Sequence, residues 1–85
     1  MASKTFKIGE YAIGGIIQVR ITENVIKIDA LDWTTKEKIM GREFNAEVLN
    51  EDYEVIDYLN ELTSSYYADQ ILEFIKKNVN FIFQF

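Results

Sequence analysis

The chain contains no histidine and no cysteine, so two of the side chains that most often perform chemistry are missing. Histidine is the usual general base near neutral pH, and a cysteine thiolate is the usual covalent nucleophile and soft metal ligand. Carboxylates, lysines and hydroxyls remain, and these catalyse where burial and neighbouring charges shift their pKa values. We therefore predict a protein that is not an enzyme and that has no catalytic residue, no cofactor and no metal site.

Acidic residues recur every three or four positions in the second half of the chain. The series comprises Glu47, Glu51, Glu54, Asp57 and Glu61. On a helix, this spacing places the carboxylates along one face. One interpretation is a solvated outer face. The functional hypothesis is a contact surface at Glu51, Glu54, Asp57 and Glu61 for a protein partner with a basic surface, including a nucleic-acid-binding protein whose phosphate track it mimics. A calcium or magnesium site is not predicted, because the glycine-containing EF-hand loop is missing.

Two other sets of side chains do not form a convincing catalytic site. Asp29 and Asp32 are three residues apart, which on a strand places them on opposite faces. Ser64-Ser65 beside Tyr66-Tyr67 has no histidine to act as base, so we interpret it as a helix cap next to core aromatic residues.

A basic surface is a further alternative, because Arg20 and Lys27 project from the polar face of a predicted sheet. Lys36, Lys38 or Arg42 could lie near them. Such a face could bind nucleic acid. The net charge of −5 argues against it, since phosphate-binding domains are normally strongly basic.

Length and composition predict one domain covering residues 1–85. The chain is 48% hydrophobic and 14% aromatic, which is enough for a modest core and argues against disorder. Met1–Lys7 has no apolar run behind it, and no stretch is apolar for long enough to span a membrane. We expect a soluble, cytoplasmic protein.

The charges divide the chain into two parts. Residues 1–44 carry seven bases and six acids, whereas residues 45–85 carry two bases and eight acids. The division coincides with a change in hydrophobic period from two to between three and four. This pattern predicts an α+β fold with two layers, a sheet followed by helices.

The first layer is predicted to be an antiparallel sheet of three to five strands. A two-residue loop at Glu23-Asn24, with Asn24 accepting a positive φ, would pair Ile21 with Ile26, Val19 with Ile28, and Ile17 with Ala30. All six side chains would then share one face.

The other strands of the sheet are predicted from shorter stretches of the sequence. Lys4–Ile8 and Lys38–Phe44 are further strands, and the inward or outward orientation of Arg42 stays open. Gly14-Gly15 falls opposite Trp33 and Asp32, which predicts a bend that makes room for the indole.

The second layer is predicted to be one or two helices that cover one face of the sheet. Asn50 is a candidate N-cap, and Tyr53, Ile56, Leu59 and Leu62 recur at helical spacing. Thr63-Ser64-Ser65 offers three capping residues in succession, so we predict a break there and two helices. The alternative is one long helix buried in a dimer.

The last residues alternate in a strand pattern, with Phe81, Phe83 and Phe85 on one side. One interpretation is a final strand in the chain's own sheet. The other is an arm that binds a second subunit or a partner.

No motif is specific enough to name a family. A small sheet followed by an acidic helical layer resembles the organisation of small phage- and plasmid-encoded inhibitor proteins. The leading hypothesis is a non-catalytic protein-binding module, an inhibitor or adaptor. The alternatives are a structural homo-oligomer, such as a homodimer, assembled through the aromatic tail, a sheet face that binds nucleic acid, and an enzyme whose carboxylate site forms only in three dimensions.

Overall fold

A computed structural model describes residues 1–46 and 53–79. Four strands form one antiparallel sheet in the order β1-β2-β3-β4, followed by two helices. The strands are β1 (Ala2–Lys7), β2 (Gly15–Thr22), β3 (Val25–Asp32) and β4 (Lys38–Asn45), and the helices are α1 (Tyr53–Leu62) and α2 (Ser65–Asn78). A 3-10 turn, Gly9–Tyr11, precedes β2. The predicted α+β fold is confirmed.

The pairing of β2 with β3 follows the predicted register. Ile21 lies opposite Ile26, Val19 opposite Ile28, and Ile17 opposite Ala30. All six are buried and belong to the main hydrophobic core. Because side chains alternate between the two faces of a strand, the residues between them point to the other face of the sheet, which we call the outer face.

The turn between β2 and β3 differs from the expectation in one detail. The positive φ falls on Glu23, at 54°, and not on Asn24. The left-handed conformation is therefore adopted by a residue that tolerates it less well than asparagine does. The backbone carbonyl of Asn24 instead accepts a hydrogen bond of 2.7 Å from the N–H of Ala46, which ties the end of β4 to this turn.

Strand β4 places an arginine on the helix side of the sheet. Phe44 pairs with Ile26, Arg42 with Ile28, and Met40 with Ala30, so Arg42 points to the same side as these core residues. Its guanidinium lies 4.6 Å from the centre of the Phe44 ring. An arginine can occupy such a position because its aliphatic stem packs on apolar groups while the charged end stays accessible.

The predicted break between the helices is confirmed. Helix α1 ends at Leu62, and α2 begins at Ser65 after Ser64 in an extended conformation. The Leu62 carbonyl accepts a hydrogen bond of 2.9 Å from the N–H of Ile13, and the Thr63 hydroxyl donates to the carbonyl of Tyr11. These bonds fasten the junction to the loop before β2. The Ser64 side chain makes no capping hydrogen bond, so its contribution is its extended backbone.

The buried face of α1 includes Leu59 and Leu62 as predicted but is shifted at its other positions. Its buried residues are Val55, Tyr58, Leu59 and Leu62, whereas Tyr53 is 56% exposed and Ile56 is only partly buried. The residues predicted to be buried were those at positions 53, 56, 59 and 62. The helix is rotated about its axis relative to this prediction, so that Val55 and Tyr58 also face the sheet. Tyr53 therefore lies on the outer surface of the helix.

The core lies between the helices and one face of the sheet. Tyr58 of α1 contacts Phe44 of β4 edge to face at 5.9 Å, and Phe74 of α2 contacts Phe6 of β1 at 6.2 Å. The two helices thus cover opposite halves of the sheet. Val79 after α2 is buried in the same core, with an extended backbone.

Some predictions concern residues 47–52 and 80–85, which lie outside the described residues. These are the Asn50 cap, the Glu51 contact and the strand at Phe81, Phe83 and Phe85. Within the described residues, no helix is long and apolar enough to cross a membrane.

Candidate functional site

The acidic stripe lies on the exposed side of α1, and we define it as Glu54, Asp57 and Glu61. Asp57 and Glu61 are exposed, and the Glu54 side chain is 43% exposed. Their spacings of three and four residues place them on neighbouring turns of one helical face, away from the buried Leu59. The predicted helical face therefore exists as an accessible surface over these three residues.

One carboxylate of the stripe has a cationic neighbour. The guanidinium of Arg42 lies 3.9 Å from Glu54 Oε1 and 6.0 Å from the centre of the Tyr58 ring. This ion pair is exposed on both sides, and such pairs contribute little to stability. Among the residues described, Asp57 and Glu61 have no ion-pair partner. Their negative charge is therefore available to a partner.

Exposed tyrosines lie near the two ends of α1, the helix that carries the acidic stripe. Tyr53 precedes Asp57 by one turn, while Tyr11 and Tyr66 are 54% and 67% exposed. Tyr67 links these two, with ring centres 5.5 Å from Tyr11 and 5.0 Å from Tyr66. The prediction that Tyr66 and Tyr67 are core aromatics is therefore wrong for Tyr66 and only partly right for Tyr67, which is half-buried. The reason is that α2 turns Ala68, Ile71 and Leu72 toward the core instead.

A shallow cavity joins the acidic stripe to the loop before β2. It has a volume of about 310 Å³, and its lining includes Glu10 and Tyr11 on one side and Glu61 and Thr63 on the other. Acidic and tyrosine side chains thus form one continuous surface. Tyrosine is enriched in protein interfaces because it presents a large apolar area together with a polar hydroxyl.

The outer face of the sheet holds a second cluster of charges, in this case mainly basic. Arg20, Lys27 and Lys38, from three adjacent strands, line a cavity of about 190 Å³. The sequence named all three as candidates, together with Lys36 and Arg42. Lys36 lies elsewhere, with its ammonium group 5.6 Å from the centre of the Trp33 ring. Arg42 lines part of this cavity, but its guanidinium is directed toward the helix side.

The two aspartates of β3 have separate partners. Asp29 is only 5% exposed and accepts a hydrogen bond of 2.8 Å from Arg20. Asp32 accepts hydrogen bonds from the backbone N–H groups of Thr34 and Thr35, both at 2.8 Å. The bonds from Thr35 and Thr34 lower the pKa of Asp32 below its ordinary value. Asp32 therefore stabilises the loop after β3 through its hydrogen bonds to the backbone, whereas Asp29 lines the basic cavity.

An exposed apolar group lies at one end of the sheet, and sequence reasoning did not identify it as a surface. Trp33 and Ile39 are each 49% exposed, and Ile13 is 39% exposed. A Cβ on Gly15 would lie 3.2 Å from Trp33 Cβ, so the glycine does make room for this residue as predicted. The indole is nevertheless half exposed. The indication of this surface in the sequence was the single tryptophan, Trp33, beside a turn.

Neither the arrangement of the carboxylates nor the comparison with known proteins indicates a particular reaction or ligand for this chain. Within residues 1–46 and 53–79, no group of three or more histidine, cysteine, aspartate or glutamate side chains is placed to hold a metal ion. Comparisons with protein-family models, curated proteins and solved structures found no match to this chain. We therefore infer the function from the surfaces described above.

The hydroxyl of Tyr58 is buried without a hydrogen-bond partner among the described residues. Burial raises its pKa above the ordinary value, and the charges of Asp29 and Glu61 add to the effect. A buried hydroxyl without a partner costs about 1 to 3 kcal/mol.

We therefore expect Tyr58→Phe to leave the free energy of unfolding unchanged or to raise it by about 1 kcal/mol in urea denaturation. The control is Tyr53→Phe at an exposed position, with no expected change. A loss of more than about 1 kcal/mol in Tyr58→Phe would show that the hydroxyl is bonded.

Proposed function

We propose that this protein is a non-catalytic protein-binding module, an inhibitor or adaptor that acts in the cytoplasm. Its acidic stripe, Glu54, Asp57 and Glu61, would contact a basic surface on the partner. The observation that supports the proposal is the exposure of Asp57 and Glu61 without cationic partners among the described residues. Glu51 was assigned to the same surface from the sequence, and we keep that assignment as a prediction.

Electrostatic attraction and apolar packing would act together at this surface. Exposed carboxylates that are not neutralised locally attract a basic partner over distances of about a Debye length, which raises the rate of association. Charge alone gives little affinity, because exposed ion pairs remain solvated. Tyr53 on the same helix, and Tyr11, which lines a cavity together with Glu61, supply the apolar area that a stable contact needs.

The alternative of a homo-oligomer depends on the tail, and the deletion described in the Discussion tests it. The alternative of a nucleic-acid-binding sheet face is favoured by the group of Arg20, Lys27 and Lys38. The net charge of −5 and the acidic helical face argue against an extended phosphate track.

The test begins with capture of a partner from the native host and its identification by mass spectrometry. The affinity of the purified partner is then measured for the variant with Glu54→Lys, Asp57→Lys and Glu61→Lys. We expect binding to weaken by at least about 100-fold, because like charges would then face each other. The affinity of the unmodified protein should also fall steeply as salt is raised.

A matched control carries Glu37→Lys, Asp69→Lys and Glu73→Lys at exposed positions outside the stripe. Each set takes the formal net charge from −5 to +1, since each change from an acid to lysine adds two charges. Both variants should keep their melting temperature within a few degrees, because exposed charges contribute little to stability. Equal loss of binding in both variants would show that only net charge matters, and no loss in either would contradict the proposal.

A further inference from the structure

The outer face of the sheet brings three cations together from three consecutive strands, β2, β3 and β4. Arg20 of β2 lies directly opposite Lys27 of β3. Lys38 of β4 pairs with Leu31, two residues beyond Asp29 on the same face of β3. Residues that are diagonal across neighbouring strands are within reach of long side chains. All three cationic residues therefore line the same cavity of about 190 Å³.

A buried carboxylate anchors this group. Asp29 is 5% exposed, with Arg20 Nη2 at 2.8 Å and Lys38 Nζ at 4.0 Å. Its cross-strand partner is Gly41, and a Cβ at that position would overlap the Asp29 carboxylate. The missing side chain thus makes the recess in which Asp29 lies. An ion pair held in this way orients the Arg20 guanidinium before any ligand arrives.

The cluster carries more positive charge than its acids neutralise. Among the described residues, the charged ends of Arg20, Lys27 and Lys38 give three positive charges at the cavity against the two negative charges of Asp29 and Glu43, since the Arg42 guanidinium is directed toward Glu54 on the helix side. Like charges directly opposite each other across two strands, as in Arg20 and Lys27, are destabilising. The Arg20 and Lys38 side chains are 44% and 63% exposed, so both keep donors that are accessible from solvent. A bound anion would relieve the repulsion and use these donors.

We propose that this cavity binds a single phosphate group through Arg20, Lys27 and Lys38. A guanidinium offers two parallel N–H donors to phosphate oxygens, and the two ammonium groups add compact charges. The volume of about 190 Å³ accommodates one such group with a few waters, at roughly 30 Å³ per water. Within residues 1–46 and 53–79, no aromatic side chain lines the cavity for a base to stack on. The ligand is therefore a free phosphate ion or a phosphate on a larger molecule, and not a stretch of nucleic acid.

The experiment is a titration of the isotope-labelled protein with inorganic phosphate, monitored by nuclear magnetic resonance at constant ionic strength. We expect saturable shifts of the Arg20, Lys27 and Lys38 signals. Lys27→Gln and Lys38→Gln should each weaken binding at least about tenfold, which corresponds to one lost charge-assisted hydrogen bond. The matched control is Lys7→Gln, since Lys7 is an exposed lysine on the same outer face but outside the cavity. It should keep the affinity within about twofold.

Further ligands distinguish the sources of phosphate. A short phosphoserine peptide that binds tighter than inorganic phosphate, while its unphosphorylated form does not bind, would indicate a phosphate on a protein side chain. Equal affinities of the phosphopeptide and inorganic phosphate would indicate a free phosphate site.

Shifts that do not saturate, or an equal loss in Lys7→Gln and Lys38→Gln, would overturn the proposal. Tight binding of a single-stranded oligonucleotide that also depends on Lys7 would overturn it in favour of a nucleic-acid track. The acidic-stripe variant should bind phosphate normally, which separates this test from that of the protein partner.

Discussion

Replacing Ile28 with alanine is expected to lower the free energy of unfolding by about 2 to 4 kcal/mol. Ile28 is fully buried and lies opposite Val19, which is fully buried as well. The loss combines the transfer energy of the removed methyl groups with the cost of the cavity left behind. For a chain of this length, the melting temperature should fall by at least about 8 °C. Urea denaturation and a thermal melt measure both quantities, and Val19→Ala should give a loss of about 1 to 4 kcal/mol.

The matched control is Lys27→Ala, one residue earlier on the same strand. Lys27 is exposed on the outer face, so its replacement should change stability by no more than about 0.5 kcal/mol. Equal losses in Lys27→Ala and Ile28→Ala would contradict a sheet with one buried and one open face.

Deleting residues 81–85 is expected to have the second large effect. These residues lie outside the described part, so the prediction comes from the alternation of Phe81, Phe83 and Phe85. Val79, the last described residue, is buried and has an extended backbone. Burying an aromatic side chain contributes about 1.5 to 3 kcal/mol. We therefore expect a monomer whose melting temperature falls by at least about 10 °C after the deletion.

Mass in solution and the melting temperature distinguish this expectation from its alternative. A dimer that becomes a soluble, folded monomer would show that the tail is an arm between subunits. A truncated protein with unchanged mass and stability would contradict both interpretations. Gln84→Ala, on the other side of the alternation, should be nearly silent and serves as the control.

Much of the fold could be predicted where one local pattern allowed only one arrangement. The register of β2 and β3 was predictable because a slip by one residue would turn Ile17, Val19 and Ile21 into solvent. The break at Thr63–Ser65 was predictable from three consecutive residues that favour helix starts. Strand β4 was harder, because Arg42 occupies an inward position and the pattern of burial does not alternate there.

The acidic stripe could be predicted in part. The spacing of Glu54, Asp57 and Glu61 placed them on one helical face, and their exposure follows from the burial of the opposite face. Their tyrosine neighbours could not be foreseen. Tyr11 comes from a loop about fifty residues earlier in the chain, and it meets Tyr67 only because the junction of the helices is bonded to that loop.

The sequence by itself determined the two-layer organisation, the register of β2 with β3 and the separation of charge between the layers, because each follows from the local pattern of one segment or of two segments joined by a short turn. Only the tertiary structure decided which charges meet. The sequence indicates Arg20 and Lys38 only as members of a possible basic surface, and neither composition nor spacing adds Asp29 to them. They converge because β2, β3 and β4 are adjacent in the sheet and because Gly41 leaves space for a carboxylate. Contacts of this kind depend on which strands become neighbours, and local periodicity does not contain that information.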